Sequence, residues 1–281
     1  LKGYDRRGNF LGLFFTDAFM LSDFFLVRSF LKWKNTYVVK MEEWMDIVSE
    51  LDAAVSMADF RYNHPEATDA EIVDGSPVLF EAKNLYHPFL GAKAVKNDFT
   101  IQDDNYYIIT GANMAGKSTF LRSLGINYIL AMSGMPVFAG SLKVSRFQLF
   151  SSMRTTDDLT HGISYFNAEL LRLEQLMQFC KRGELRTLII LDEILKGTNS
   201  LDKLNGSRLF LESISRMPVT GVIATHDLEL SRMAESSPGR FHNYCFEIDL
   251  GTDVTYTYKI QPGVARNQNA TFLLNKILER N

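Results

Sequence analysis

Two glycines, a lysine and a serine stand at a spacing that suits the binding of phosphate. Residues 111–118, GANMAGKS, fit the pattern G-x-x-x-x-G-K-[ST], in which Lys117 can reach the outer phosphates of a nucleotide and the Ser118 hydroxyl can ligate Mg²⁺. The run from Tyr106 to Thr110 before this loop has the composition of a buried strand, and an apolar segment typical of a helix follows it. This context favours nucleotide binding over a chance glycine-rich turn.

A second segment brings two carboxylates to the end of a buried strand. Leu188 to Leu191 is a continuous apolar run, typical of a strand covered on both faces, and Asp192 and Glu193 follow it. Downstream of a phosphate loop this is a Walker B arrangement, in which Asp192 holds Mg²⁺ through its water shell and Glu193 polarises the attacking water. Without that loop, the pair would be read as an acidic strand end.

A histidine follows a further buried strand. The run from Val219 to Ala224 is apolar, and His226 comes just after it, at the sheet edge expected to carry the two carboxylates. In that position the imidazole can reach a terminal phosphate. The alternative is a helix-capping cluster, because Asp227 can cap the segment that begins at Leu228. For His87, which precedes a proline, a structural turn is favoured over a nucleotide contact.

The composition is that of a folded protein in a reducing compartment. The chain has 281 residues, is 46% hydrophobic and carries a net charge of −3, so it can bury a core and has no global basic field for nucleic acid. Cys180 and Cys245 lie far apart without metal-ligand spacing, which predicts buried thiols and a cytoplasmic protein. The apolar run from Phe10 to Phe30 is interrupted by two aspartates and an arginine, so we expect a buried helix and no membrane contact.

The elements that must position these residues follow from periodicity. Residues 1–75 are predicted to be a helical segment, because apolar side chains recur at three- and four-residue steps and turn-forming residues follow. Residues 76–281 alternate buried strands with helices, including helices over 164–181, 202–216 and 271–280 and a hairpin over 241–260. This order predicts an α/β domain with its ligand at the carboxyl ends of the strands.

Four segments together resemble the MutS family of ATPases. GANMAGKST over 111–119 is similar to the phosphate loop of that family, and LIILDEILKGTNS over 188–200 is similar to its Walker B segment and following loop. DDLTHGISYFNAEL over 157–170 resembles the family's signature segment, and ATHDLEL over 224–230 resembles the segment of its switch histidine. The helical opening is similar to the end of the family's lever helices.

The resemblance implies a fold, a reaction and partners. The fold is a P-loop NTPase of the ABC-ATPase type, with a mixed, mainly parallel sheet flanked by helices and preceded by a helical segment. The ligands are ATP and Mg²⁺, with the metal held by Ser118 and Asp192 and hydrolysis involving Lys117, Glu193 and His226. Nucleotide contacts come from Val95, Gly111, Asn113, Met114, Ala115, Gly116, Lys117, Ser118 and Thr119 and, across a dimer interface, from Ser164. A homodimer around two ATP molecules would be coupled to DNA, bound by regions outside this chain, in repair or recombination.

The sequence departs from the mismatch-repair members at several positions. ILK over 194–196 stands where they carry Ile-Gly-Arg, QNA over 268–270 stands where they carry Ser-Tyr-Gly, and the mismatch-reading and clamp modules have no counterpart in this sequence. These differences resemble a short MutS-like branch. Two alternatives remain: an ABC-type transporter subunit, which would need the glycine-rich signature that SYF over 164–166 does not supply, and a module that binds nucleotide without hydrolysis.

Overall fold

A computed structural model of the chain describes residues 21–75, 77–153, 165–183, 185–250 and 254–266. Contacts divide the chain into two compact units, residues 1–63 and residues 64–281. Within the described ranges, no helix is both long and apolar enough to cross a bilayer.

The described part of the first unit is helical. Helix α1 spans Ser22–Tyr37, a 3₁₀ turn covers Val38–Lys40, and helix α2 spans Met41–Asn63. Acidic residues stand in the first turn of α2, where the helix dipole favours negative charge. The predicted burial of the Phe10–Phe30 run is wrong for its described part, because Phe30 and its phenylalanine neighbours in α1 are more than half exposed. Among the described residues of this unit, the two helices have no further layer against which to bury their apolar faces.

The second unit contains ten strands and four helices in its described residues. The strands are β1 (Glu71–Val73), β2 (Leu79–Leu85), β3 (Asn97–Gln102), β4 (Tyr106–Gly111), β5 (Ser141–Ser145), β6 (Gln148–Ser152), β7 (Thr187–Asp192), β8 (Val219–Ala224), β9 (Phe241–Leu250) and β10 (Val254–Pro262). The helices are α3 (Lys117–Met132), α4 (Tyr165–Arg182), α5 (Ser200–Ile214) and the short α6 (Met233–Ser236), with 3₁₀ turns at Pro88–Lys93 and Leu228–Arg232. The predicted helix over 271–280 and the turn of the predicted hairpin lie outside the described residues.

The strands form two sheets. The smaller sheet has the order β1-β5-β2-β3, and the larger one has the order β10-β9-β4-β8-β7-β6. In the larger sheet all neighbours are parallel except β10, which pairs antiparallel with β9 as the predicted hairpin requires. The mixed α/β class is therefore confirmed. Because β1 pairs with β5, residues 71–73 join the second unit, while the predicted domain boundary after residue 75 stays a prediction.

The central strand β4 shows why the larger sheet is buried on both faces. Alternate side chains point to opposite faces of a strand, so Tyr107 and Ile109 join the core cluster that includes α3 and the smaller sheet. Tyr106 and Ile108 join a second cluster with side chains of α4 and α5. All six residues of β4 are buried, as the continuous apolar sequence predicted. The carboxyl ends of β4, β7 and β8 consequently meet at one edge of the sheet, where the candidate site lies.

Candidate active site

The phosphate-binding loop joins β4 to α3 and depends on its two glycines. Gly111 has φ 152°, and a Cβ atom there would lie 2.8 Å from the carbonyl oxygen of Phe246 in β9, so only glycine lets the loop begin this close to its neighbour. Gly116 precedes the first helical residue with φ 110°. Between them, Met114 adopts the left-handed region with φ 67° and leaves its side chain exposed. Strand, loop and helix thus follow in the predicted order.

The side chain of Lys117 is folded back on this loop. It is buried, and its ammonium donates to the carbonyl oxygens of Gly111 at 2.7 Å and Ala112 at 2.9 Å. Burial lowers the pKa of Lys117 to about 8, although the carboxylates of Glu193 and Asp192 act in the opposite direction. The loop therefore keeps a buried cation at the point where phosphate charge was predicted to bind.

The two predicted acids lie beside this cation. Asp192 ends β7 and is buried, and its register partner in β8 is Ala224, whose carbonyl accepts the N–H of Glu193 at 2.9 Å. Glu193 itself has a left-handed backbone with φ 64°. A non-glycine residue in that region is uncommon, and such positions cluster at functional sites.

The carboxylate of Glu193 is surrounded by donors. It accepts from His226 Nε2 at 3.0 Å, and the ammonium groups of Lys203 and Lys196 lie 3.5 and 3.9 Å away. Burial raises the pKa of Glu193, but the hydrogen bond from His226 and the charge of Lys203 outweigh it, so the pKa is lowered to about 2. The group is therefore a carboxylate at neutral pH.

His226 connects the loop to the acids. Thr225 donates its N–H to the carbonyl of Ile109 at 3.0 Å, which ties the end of β8 to β4. The imidazole Nδ1 lies 3.3 Å from the ammonium of Lys117, while Nε2 faces Glu193. With the ring proton on Nε2, the lone pair of Nδ1 accepts from Lys117. The capping alternative also holds for the next residue, because Asp227 accepts from the N–H of Glu229 at 3.0 Å.

An open cavity of about 560 Å³ extends from this cluster. Its lining includes the phosphate loop from Asn113 to Thr119 and His226, together with residues of β2, β3, β10 and the segment between β2 and β3. The residues outside the loop include Tyr86, His87, Leu90, Lys93, Val95, Asn97 and Tyr258. The volume is within the range of small-molecule sites. The structure therefore brings Val95 and the phosphate loop to one cavity.

His87 combines the two roles considered from the sequence. It lines the cavity and also caps the 3₁₀ turn, since its ring accepts the N–H of Phe89 at 3.3 Å. Burial and the nearby charge of Arg122 lower the pKa of His87, which favours its neutral form.

Ser164 lies outside the described residues. Helix α4 begins at the next residue, Tyr165, and carries the buried Glu169, whose carboxylate accepts the N–H of Gly197 at 3.0 Å. Gly197 belongs to the loop that follows Glu193. The segment predicted to act across a dimer is thus connected, through α4, to the loop of the acids.

The phosphate loop, the two acids and His226 fall within a segment that is similar in sequence to known proteins. The sequence profile described as MutS domain V matches residues 107–272. The chain belongs to the MutS family. It is 30% identical over 212 residues to the DNA mismatch repair protein MutS of Staphylococcus carnosus, an alignment covering 72% of this chain and 24% of that protein. It is 32% identical over 233 residues to the DNA mismatch repair protein MutS of Acetivibrio thermocellus, with 78% and 26% covered.

A plant relative is equally similar to this MutS-family chain. The DNA mismatch repair protein MSH2 of Zea mays is 30% identical over 258 residues, with 82% of this chain and 26% of that protein covered. The chain therefore spans about a quarter of the length of these relatives. The matched range includes the phosphate loop, the two acids and His226, whereas Val95 precedes it. The transporter alternative has no support in these findings.

Two residues of the site could not be found in this MutS-family sequence by pattern. Lys203 stands in the first turns of α5, where a lysine is read as a solvated helix residue, yet it lies beside Glu193. Tyr258 stands within an alternating strand and gave no sign that the strand is irregular there. The only sequence signal for Lys203 was its closeness to the acids along the chain.

Proposed function

We propose that this MutS-family chain is an ATPase domain with a P-loop NTPase fold of the ABC type, which binds ATP with Mg²⁺ and hydrolyses it to ADP and phosphate. The observation that supports this is the line of contacts from Lys117 through His226 to Glu193, of which Lys117 and His226 line the cavity. A lysine on a glycine loop and a carboxylate that can orient water are groups that P-loop NTPases use in phosphoryl transfer, and His226 contacts both of them here.

The residues of the loop hold the phosphates in this proposal. Backbone N–H groups from Gly111 to Thr119 and the N-terminus of α3 provide positive partial charge, and Lys117 provides a full charge. The lysine can turn from the loop carbonyls to phosphate oxygens, because its three N–H donors need acceptors in either state. His226 contacts the terminal phosphate from the side of the acids.

Glu193 acts on water in this proposal mainly by orienting it. A carboxylate whose pKa is lowered to about 2 is a weak base, so it accepts a hydrogen bond from water far more readily than it takes a proton. Attack of the oriented water on the γ-phosphorus forms a new phosphorus–oxygen bond as the bond to the leaving ADP oxygen breaks. The water proton passes to the phosphate or to Glu193 as the new bond forms.

The metal site has a donor set that suits Mg²⁺. Ser118 and Asp192 offer a hydroxyl and a buried carboxylate, and hard oxygen donors of this kind bind Mg²⁺ together with phosphate oxygens and water. When bound, the metal neutralises charge on the phosphates. Asp192 and Ser118 would be its protein ligands.

We further propose that two chains form a homodimer, with each ATP between the loop of one chain and Ser164 of the other. ATP then favours the closed pair, because both chains contact the same γ-phosphate, and hydrolysis removes that preference. Residues 1–75, as the end of a lever segment, would pass this change to DNA bound outside the chain. The relatives named as DNA mismatch repair proteins support a role in DNA mismatch repair. A role in recombination, a cytoplasmic location and the absence of membrane contact are further parts of this proposal.

Steady-state ATP hydrolysis by the Glu193→Gln variant tests the function. The amide keeps the size of the side chain but loses its charge, so we expect turnover to fall by about 10²–10⁴-fold while ATP still binds and dimers accumulate. Glu212→Gln is the control, because Glu212 is an exposed residue of α5 paired with Arg208. A Glu193→Gln variant that turns over ATP like the parent protein would refute the role of Glu193. A parent protein that binds ATP without turnover would instead indicate a binding module.

A further inference from the structure

Strand β10 is interrupted at the residue that lines the cavity. Its register with β9 runs regularly to Tyr256, opposite Ile248, and resumes at Ile260, opposite Phe246. Residues 257–259 therefore stand opposite the single residue Glu247, which is a bulge. At its centre, Tyr258 has a left-handed backbone with φ 52°, and its half-exposed ring lines the cavity. A tyrosine with a left-handed backbone conformation costs free energy, so interactions with its surroundings must stabilise it.

Asn97, the first residue of β3, provides that support. Its Nδ2 donates to the carbonyl oxygen of Tyr258 at 3.0 Å, and its Oδ1 accepts the N–H of Ile260 at 2.9 Å. The amide thus bonds to the bulge at its centre and at its end. The side chain is buried, with 7% of the residue exposed, so water is a poor substitute for either partner.

The same amide also reaches back to the segment that precedes β3. Nδ2 also donates to the carbonyl oxygen of Val95 at 3.4 Å, so both of its N–H groups and its oxygen are used. Val95 and Tyr258 both line the cavity, and the Tyr258 ring also lies close to the phosphate loop, because a Cβ atom at Gly116 would be 3.1 Å from it. One buried side chain therefore determines where two wall residues stand, although they lie far apart in the sequence.

We propose that Asn97 is a positioning residue for the nucleoside of the bound nucleotide, acting through the cavity-lining Tyr258 and Val95. This inference rests on the proposed function, because it assumes that the phosphates bind to the loop. The base and ribose then meet the wall that Asn97 holds in place. An ordered wall lowers the conformational cost of binding, so loss of the amide reduces affinity only for ligands that carry a nucleoside.

The test compares two ligands with the same phosphate chain. ATP and inorganic tripolyphosphate are titrated against the parent protein, Asn97→Ala and Lys117→Ala by calorimetry or by competition with a fluorescent nucleotide. We expect Asn97→Ala to raise the Kd for ATP about tenfold through the loss of pre-organisation and to leave the Kd for tripolyphosphate within about twofold. Lys117→Ala should weaken both ligands. Equal changes for both ligands in Asn97→Ala, or no change for either, would overturn the inference.

A second comparison keeps the inference testable if Asn97→Ala is unstable. Asn97→Asp keeps the size and the acceptor oxygen but loses the donor to Tyr258, so it should show the same selective loss for ATP. In the Tyr258→Ala background, Asn97→Ala should raise the Kd for ATP by a smaller factor than it does in the parent protein, because the two residues act together. Additive losses would contradict action through Tyr258. Lys259→Met is the matched control, since the exposed Lys259 also joins β10 to Lys96 through its ammonium and should leave both affinities unchanged.

These experiments distinguish failure of the proposed ATPase function from failure of the positioning role of Asn97. If the parent protein binds neither ligand, or if Lys117→Ala binds both normally, the proposed function is refuted and the inference with it. If the parent protein binds both ligands through Lys117 and Asn97→Ala does not discriminate between them, only the role of Asn97 is refuted.

Discussion

The buried ammonium of Lys117 makes a prediction that needs no ligand. Its pKa is lowered from the ordinary value of 10.5 to about 8 in the folded chain, so folding is opposed while the group is charged. Replacing Lys117 with Met removes the titration. The difference in the free energy of unfolding between the two proteins should therefore depend on pH, whatever constant amount of stability the methionine itself adds or removes.

The sign and size follow from proton linkage. Between pH 8 and pH 10.5 the unfolded chain keeps a proton on Lys117 that the folded chain has lost, so stability rises with pH across this window. Below pH 8 Lys117 is charged in both the folded and the unfolded chain, so the full destabilisation from burying the charge remains. A pKa shift of this size corresponds to about 3 kcal/mol. Going from pH 7 to pH 10 should recover about 2 to 3 kcal/mol of it in the parent protein and none in Lys117→Met.

Urea unfolding at pH 7 and pH 10, followed by circular dichroism, measures this difference. Circular dichroism is preferred to tryptophan fluorescence because Trp33 and Trp44 both belong to the first unit, whereas Lys117 lies in the second. Burial also raises the pKa of Tyr106 and Tyr107, but both variants share these groups, so their effect cancels in the comparison.

Lys83→Met, a change at an exposed position of β2, is the control and should not alter the pH dependence. A parent-minus-variant stability that is the same at both pH values would refute the burial of a charged Lys117. A difference of opposite sign would mean that nearby carboxylates outweigh burial.

Two further substitutions test the loop and the dimer. Gly111→Ala should lower the free energy of unfolding by about 1–3 kcal/mol through backbone strain, and by a further amount through the clash with Phe246. Gly134→Ala is the control, because Gly134 has φ 69° but no atom close to its Cβ, so it should show only the loss from strain. Equal losses for the two variants in urea titrations would exclude the clash. Ser164→Ala should impair ATP hydrolysis, and mixing it with Lys117→Ala should restore at most one of two shared sites; full activity of the serine variant would exclude sharing.

Local patterns predicted the elements that hold the site because those elements are buried on both faces. The runs before Gly111, Asp192 and His226 are each continuous and apolar, and each forms a parallel strand of the larger sheet. Periodicity could not show that β1, β2, β3 and β5 form a sheet of their own, because strand pairing depends on residues far apart in the chain. It also assigned burial to α1, because an apolar face in a sequence does not state whether another layer covers it.

The site residues that belong to a sequence motif could be predicted, whereas those contributed by segments outside the motifs could not. Lys117, Glu193 and His226 were expected at one sheet edge, and the structure places them in contact. Their catalytic roles stay predictions. Asn97 and Tyr258 escaped notice, because a bulge in β10 keeps the alternating sequence of a regular strand while changing its register.

The position of β4 in the larger sheet affects how the protein folds during its synthesis. This strand, which leads into the phosphate loop, pairs with β8 and β9, and β8 begins about 110 residues further along the chain. Contacts of such long sequence separation slow folding, because a large loop must close before they form. On the ribosome β4 emerges long before either neighbour, with both of its edges unpaired. The loop therefore gains its support late in synthesis, and a polypeptide cut short before β9 would leave one edge of this buried strand unpaired and open to aggregation.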